Sequence, residues 1–166
     1  MTEPLQARVW YFAYGSNLNV DQMRKRVGEW RLSKRAVARN YRLVFNHFSK
    51  NWQGYTANLQ RTDKFEDTVH GVVYHISDEQ LRTLIRIEGE GATQIDIHVE
   101  LEDGNEISHA KAIVWSSSEK EKEHEPSKTY RKMMEEGFSQ HGFTESHEKN
   151  IFQDLAKKSN QPSRNP

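Results

Sequence analysis

From Ile95 to Trp115 the chain alternates Ile95, Ile97, Val99 and Leu101 with Asp96, His98 and Glu100, turns at Asp103-Gly104, and returns through Ile107 to Trp115. Alternation is the period of a strand with one buried face, and Asp-Gly is a tight hairpin pair. The segment predicts a β-hairpin whose apolar face must be covered by the rest of the fold.

The remaining elements follow from similar local patterns. Val9 to Tyr14 is a β-branched and aromatic run that predicts a buried strand. Asn19 stands as N-cap before Val20, Met23 and Val27 at helical spacing. Ala36 to Phe48, with Tyr41, Leu43 and Phe45 alternating, predicts one further sheet element, and Gly54 to Leu59 a short strand. Thr68 to Ile76 predicts a more buried strand centred on Val72, Val73 and Tyr74. Ser77-Asp78-Glu79-Gln80 has the capping-box form, followed by Leu81, Leu84 and Ile85 on one helical face and by Gly89 and Gly91 as terminators. Ser127 is placed to cap a helix bearing Tyr130, Met133 and Met134, and Thr144 another bearing Ile151, Phe152 and Leu155. Glu119 to Glu125 reads as a solvated loop. Strands outnumber helices without regular βαβ alternation, which predicts an α+β domain with a curved, mixed, mostly antiparallel sheet. One domain is expected over residues 1–158, with a polar tail over 159–166.

Composition narrows the chemistry. The 24 basic and 24 acidic residues cancel, so neither a nucleic-acid surface nor a polybasic membrane anchor is expected, and small molecules are the expected partners. The absence of cysteine removes disulfides, thiolate metal sites and cysteine nucleophiles. No apolar run approaches the roughly 20 residues of a membrane helix, and the N-terminus lacks a signal-peptide layout, so a cytoplasmic protein is expected. Leu, Ile, Val and Phe supply only 34 of 166 residues. Their grouping into dense periodic blocks, with zero net charge, predicts a compact core between polar loops.

Two places carry candidate chemistry. In Tyr11-Phe12-Ala13-Tyr14-Gly15-Ser16-Asn17-Leu18 an aromatic strand runs into Gly-Ser-Asn just before a helix. Gly15 permits a sharp turn and close backbone approach, Ser16 and Asn17 bring polar side chains, and the free N–H groups of the following helix would favour a carboxylate. An ordinary strand-to-helix turn uses the same residues. Glu88 closes the helix that begins at Ser77. The negative end of the helix dipole disfavours its charge and should raise its pKa toward that of a usable general base; a solvent-exposed helix-end acid beside Glu90 is the alternative. The eight histidines are scattered without metal-ligand spacing. Ser16 lacks the second glycine of a hydrolase elbow.

In order, the opening octapeptide, Val37-Ala38-Arg39, Trp52-Gln53-Gly54-Tyr55-Thr56-Ala57, His70-Gly71-Val72-Val73-Tyr74, Leu84 through Glu88-Gly89, and Pro126 to Lys132 around Tyr130 resemble the γ-glutamylcyclotransferase (AIG2-like) family over residues 9–152. That resemblance implies a small β-barrel-like fold with flanking helices and a cavity at one end. It also implies cofactor-free cyclisation of the γ-glutamyl group of a small amino acid or amine to 5-oxoproline, with release of the amine. Glu88 falls on the family's catalytic acid/base, the segment Tyr11, Phe12, Ala13, Tyr14, Gly15 and Ser16, continuing into Asn17, on its substrate-binding loop, and Tyr130 on a substrate-contacting tyrosine. No metal is implied. A monomer or homodimer is expected, with no nucleic-acid or membrane partner.

The chain departs from relatives that carry tyrosines near Thr93 or Gln94 and at Ala112, and an aspartate at Ile85. These changes imply a different pocket wall and leaving group. A non-catalytic small-molecule-binding module on the same fold is the second expectation, and a biosynthetic protecting group as the γ-glutamyl substrate a third.

Overall fold

A computed structural model describes residues 7–116 and 123–144. Along the chain lie β1 (Arg8–Ala13), a 3-10 turn (Ser16–Leu18), α1 (Val20–Val27), β2 (Ser33–Arg39), β3 (Tyr41–Ser49), β4 (Gly54–Arg61) and β5 (Thr68–Ser77). They are followed by α2 (Asp78–Glu88), β6 (Ala92–Leu101), β7 (Glu106–Trp115) and α3 (Lys128–Gln140). The helix expected after Thr144, the 159–166 tail and much of the 119–125 loop lie outside the described residues.

Five strands close into a barrel in the order β1-β5-β2-β6-β7. Neighbours are antiparallel except at the closure, where β7 meets β1 in parallel through Lys111 and Tyr11. The fold is therefore α+β around a small mixed barrel. β5 sits between β1 and β2, with α2 and β3 also packed against it, and Val72, Val73 and Tyr74 are buried on both of its faces. The 92–115 hairpin pairs Ile97 with Ala110 and turns its apolar side inward, Ile97, Val99, Ala110 and Ala112 being buried.

The single element expected from Ala36 to Phe48 is two strands in different sheets. Asn40 adopts φ 72°, a left-handed conformation that asparagine tolerates better than most residues. Its amide donates to Asp67 O while its carbonyl accepts from Thr62 N, so the bend is stitched to both ends of the β4–β5 loop. β2 stays in the barrel, and β3 leaves to pair with β4 as a separate hairpin.

Capping fixes where the helices begin. Gln80 N donates to Ser77 Oγ and Ser77 N to Gln80 Oε1, completing the capping box. The side-chain Nε2 of Gln80 donates to the carbonyls of Val27 and Glu29, tying the start of α2 to the end of α1. α3 begins at its Ser127 cap and lies against the 3-10 turn at Gly137, where any Cβ would press on the backbone of Leu18 and Asn19. Asn19 Nδ2 donates to Met133 O, and Gln140 Oε1 accepts from Val20 N. The start of α1 is thus clasped by α3.

Candidate active site

A cavity opens where the end of β1 meets α1, α2, α3, β7 and the β3–β4 hairpin. Tyr11, Tyr14, Gly15, Ser16 and Asn17 form one side; Arg26 of α1, Ile87 and Glu88 of α2 and Tyr130 of α3 join them. Seven of the nine residues singled out in the sequence therefore line one space. Phe12 and Ala13 do not: both are fully buried in the core, and the Phe12 ring lies against Gly71 on the neighbouring strand. Alternate strand side chains point to opposite faces, so Phe12 cannot share the face of Tyr11.

Glu88 is the last residue of α2 and keeps only 20 % of its side chain exposed, against 18 % for Arg26. It is not the solvated helix-end acid of the alternative reading. Burial pushes its carboxyl pKa up, while Arg26 Nη1, 3.0 Å from Oε1, pulls the other way by charge and hydrogen bond. The direction agrees with the sequence expectation, and its largest cause is desolvation by the packed surroundings.

The polar side chains of the turn are already engaged. Asn17 Oδ1 accepts from Arg26 Nη1 at 3.0 Å and from Gln22 Nε2 at 3.1 Å, and Asn17 Nδ2 donates to the phenol oxygen of Tyr11 at 3.0 Å. Ser16 Oγ accepts from Gln22 Nε2 at 2.7 Å. The anion cradle expected at the N-terminus of α1 is not built: Val20 N is taken by Gln140 and Gln22 N by the Asn19 cap. What faces the cavity is the preceding turn.

Tyr130 reaches that turn from α3. Its oxygen accepts from Ser16 N at 3.2 Å and Ala57 N at 3.1 Å, bridging the β1 turn to β4. Tyr14 donates to Ile113 O at 2.5 Å, pinning the end of β1 to β7. Burial raises the pKa of Tyr11, Tyr14 and Tyr130, and the Glu88 carboxylate adds to it. All three phenols keep their protons at neutral pH. Among the described residues no three His, Asp or Glu side chains converge as a metal site would require. The arrangement offers one desolvated carboxylate, one guanidinium and a set of neutral hydroxyl groups, which suits proton transfer on a small polar ligand.

The family model for gamma-glutamyl cyclotransferase, AIG2-like, matches residues 11–132, a span that includes every lining residue from Tyr11 to Tyr130. The chain belongs to this family. Among solved structures, an uncharacterized protein from Homo sapiens is 23 % identical with a TM-score of 0.77, covering 97 % of this chain and 92 % of its own. A structure described as gamma-glutamyl cyclotransferase is 22 % identical with a TM-score of 0.76, covering 95 % and 90 %. A glutathione-specific cyclotransferase from yeast is 14 % identical with a TM-score of 0.66, covering 91 % and 96 %. These likenesses show the cyclotransferase fold. No curated protein matches the chain.

Within this cyclotransferase-like fold, the wall opposite the turn comes from residues the sequence did not nominate for the site. Ile113 and Trp115 enter from β7, and His47, Ser49, Trp52 and Thr56 from the β3–β4 region. His47 stacks on Trp115 with ring centroids 4.3 Å apart, and Trp52 meets Tyr130 edge-on at 5.1 Å. Thr93, Gln94 and Ala112, the positions expected to alter the pocket wall, do not line the cavity; Ala112 is buried opposite Ile95. Trp52 and Thr56 lie in a segment that carried the resemblance. The i,i+4 spacing of Gln22 and Arg26 on α1 was a readable signal for a second polar face directed at one place.

Proposed function

We propose that the chain is an active cyclotransferase that converts a small γ-glutamyl amino acid or amine to 5-oxoproline with release of the amine. The observation that supports this reading most directly is the desolvated Glu88 carboxylate on the same cavity as the Gly15-Ser16-Asn17 turn. Glu88 takes a proton from the substrate α-ammonium, and the freed nitrogen attacks the substrate's own γ-carbonyl carbon. The new C–N bond closes a five-membered ring, and the carbonyl oxygen carries the negative charge of the tetrahedral intermediate. As that charge returns to re-form the carbonyl, the bond to the leaving nitrogen breaks and protonated Glu88 delivers its proton there; the second proton of the ring nitrogen then passes through the freed Glu88 carboxylate to the released amine, which departs as an ammonium. No co-reactant is consumed. Nucleophile and electrophile belong to one molecule, so much of the acceleration comes from holding it bent.

The turn is assigned to the glutamyl half. Ser16 N is engaged by Tyr130, which leaves the amides of Gly15 and Asn17 as the turn's donors to substrate oxygen. The Tyr130 oxygen already accepts twice, so its own hydrogen is directed to an acceptor on the ligand. The leaving amine is assigned to the side walled by His47, Trp52 and Trp115.

The test is a panel of γ-glutamyl dipeptides and γ-glutamyl amines assayed for 5-oxoproline, with Glu88→Gln in parallel. Product from the native chain and a loss of roughly a hundredfold or more in the variant support the reading. Equal product from both sinks the assigned base. No product from any substrate, with saturable binding of one, supports the binding module instead.

A further inference from the structure

We propose that Arg26 is a positioning residue for this chemistry, holding the Glu88 carboxylate and the Asn17 side chain in fixed register so that the base faces the substrate-binding turn. The inference rests on the assignment of Glu88 above and extends it to α1, which carries none of the residues that the octapeptide and Glu88 supplied.

The geometry turns on one nitrogen. Arg26 Nη1 carries two hydrogens, and two acceptors stand at 3.0 Å from it, Glu88 Oε1 and Asn17 Oδ1. A planar guanidinium sends its hydrogens in fixed directions, so the two acceptors can be served together only at one separation. The contact therefore joins the Glu88 side chain on α2 to the Asn17 side chain on the turn after β1 as a single unit. Gln22, one helical turn earlier, secures the other end by donating to both Ser16 Oγ and Asn17 Oδ1. Asn17 is thereby filled by intramolecular partners and acts through the shape it gives the turn.

The link also governs charge. Glu88 faces Arg26 from α1, Tyr11 and Tyr14 from β1, and Tyr130 from α3. Arg26 is the cation in this set, and the phenols are neutral. Burial favours the protonated carboxyl, which is a useless base, and the guanidinium favours the carboxylate. When Glu88 carries the substrate's proton, Arg26 still holds Asn17, so the turn keeps its shape through the reaction.

The experiment combines a ¹³C-detected titration of the Glu88 carboxyl, assigned by its disappearance in Glu88→Gln, with kcat and KM for the best substrate across pH. Variants are Arg26→Met, Arg26→Lys and, should the methionine chain not fold, Arg26→Gln. In Arg26→Met the Glu88 titration should move to higher pH and the acid limb of kcat/KM should move with it. kcat should fall by roughly a hundredfold from lost alignment. Arg26→Lys, which keeps the charge, should return the titration toward the native position while kcat stays low. An unchanged Glu88 titration in Arg26→Met, or in Arg26→Gln where it takes that variant's place, overturns the proposal, whatever the activity. A titration that moves while the acid limb stays in place leaves Arg26 as the partner of Glu88 but overturns Glu88 as the base, which separates failure of this inference from failure of the one beneath it.

Discussion

The phenol oxygen of Tyr130 sits where a side chain on Gly15 would have to be. The two come from opposite ends of the domain, and their contact closes the substrate turn: the same oxygen accepts from Ser16 N at 3.2 Å and from Ala57 N at 3.1 Å. Gly15 is thus required by proximity.

Gly15→Ala should displace the phenol and detach both amides. Overpacking of this kind costs about 1–3 kcal/mol, and 5-oxoproline formation should fall more steeply than stability. Parallel denaturant melts and assays check it; a variant of native stability and native rate would show that the turn tolerates the shift.

Tyr130→Phe removes the shared acceptor and leaves two interior N–H groups without it. Each such loss costs about 1–3 kcal/mol, so a clear drop in the denaturation midpoint is expected with little change in slope. KM should rise and kcat should fall, because the hydroxyl both shapes the turn and faces the ligand.

The pH dependence of activity should carry the mark of Glu88. Burial holds its carboxyl above the ordinary value of 4.5, so kcat/KM should fall on acidification with an apparent pKa higher than that of a free carboxylate. For stability the sign is opposite to that of a salt-bridged acid with a depressed pKa. A carboxyl whose folded pKa is raised contributes most below its unfolded value and loses that contribution as pH rises through the folded one. The difference in melting temperature between the native chain and Glu88→Gln, measured across that window, reads this directly.

His141 gives a second pH window. Burial lowers its pKa, and its Nε2 lies 2.9 Å from Leu18 O and 3.0 Å from the Tyr74 hydroxyl, which donates to Asn17 O. A histidine with a lowered folded pKa stabilises the fold above its unfolded value, about 6.5, and that contribution is lost as pH falls through the folded one. Melting temperature should therefore decline on acidification below neutrality, and less so in His141→Gln. A native slope in the variant would remove His141 from the account.

The strands and helices were legible because their signals are local. The Ser77/Gln80 box, the Asn19 and Ser127 caps and the alternation after Ile95 each involve residues a few positions apart, and the structure keeps all of them. The break at Asn40 was not legible, since alternation continues through Tyr41 and only the loop contacts to Thr62 and Asp67 hold the bend. The carboxylate cradle at α1 was a local inference defeated by a distant residue, Gln140, which takes the Val20 amide. Glu88 was read with the right direction of pKa shift but without its largest cause, because desolvation depends on what packs over a side chain and not on its own helix.

By itself the sequence determined the elements, the sheet class and the turn at Gly15, and it singled out Glu88 without deciding whether it was buried. Periodicity, caps and turn chemistry are set by neighbours along the chain, so they survive being read in one dimension. Only the tertiary structure decided that Arg26, 62 positions from Glu88, joins it to Asn17, that Tyr130 seals the turn, and that Trp115 and His47 wall the far side. Each of these needs a long loop closed and water excluded, and those are properties of the packed chain.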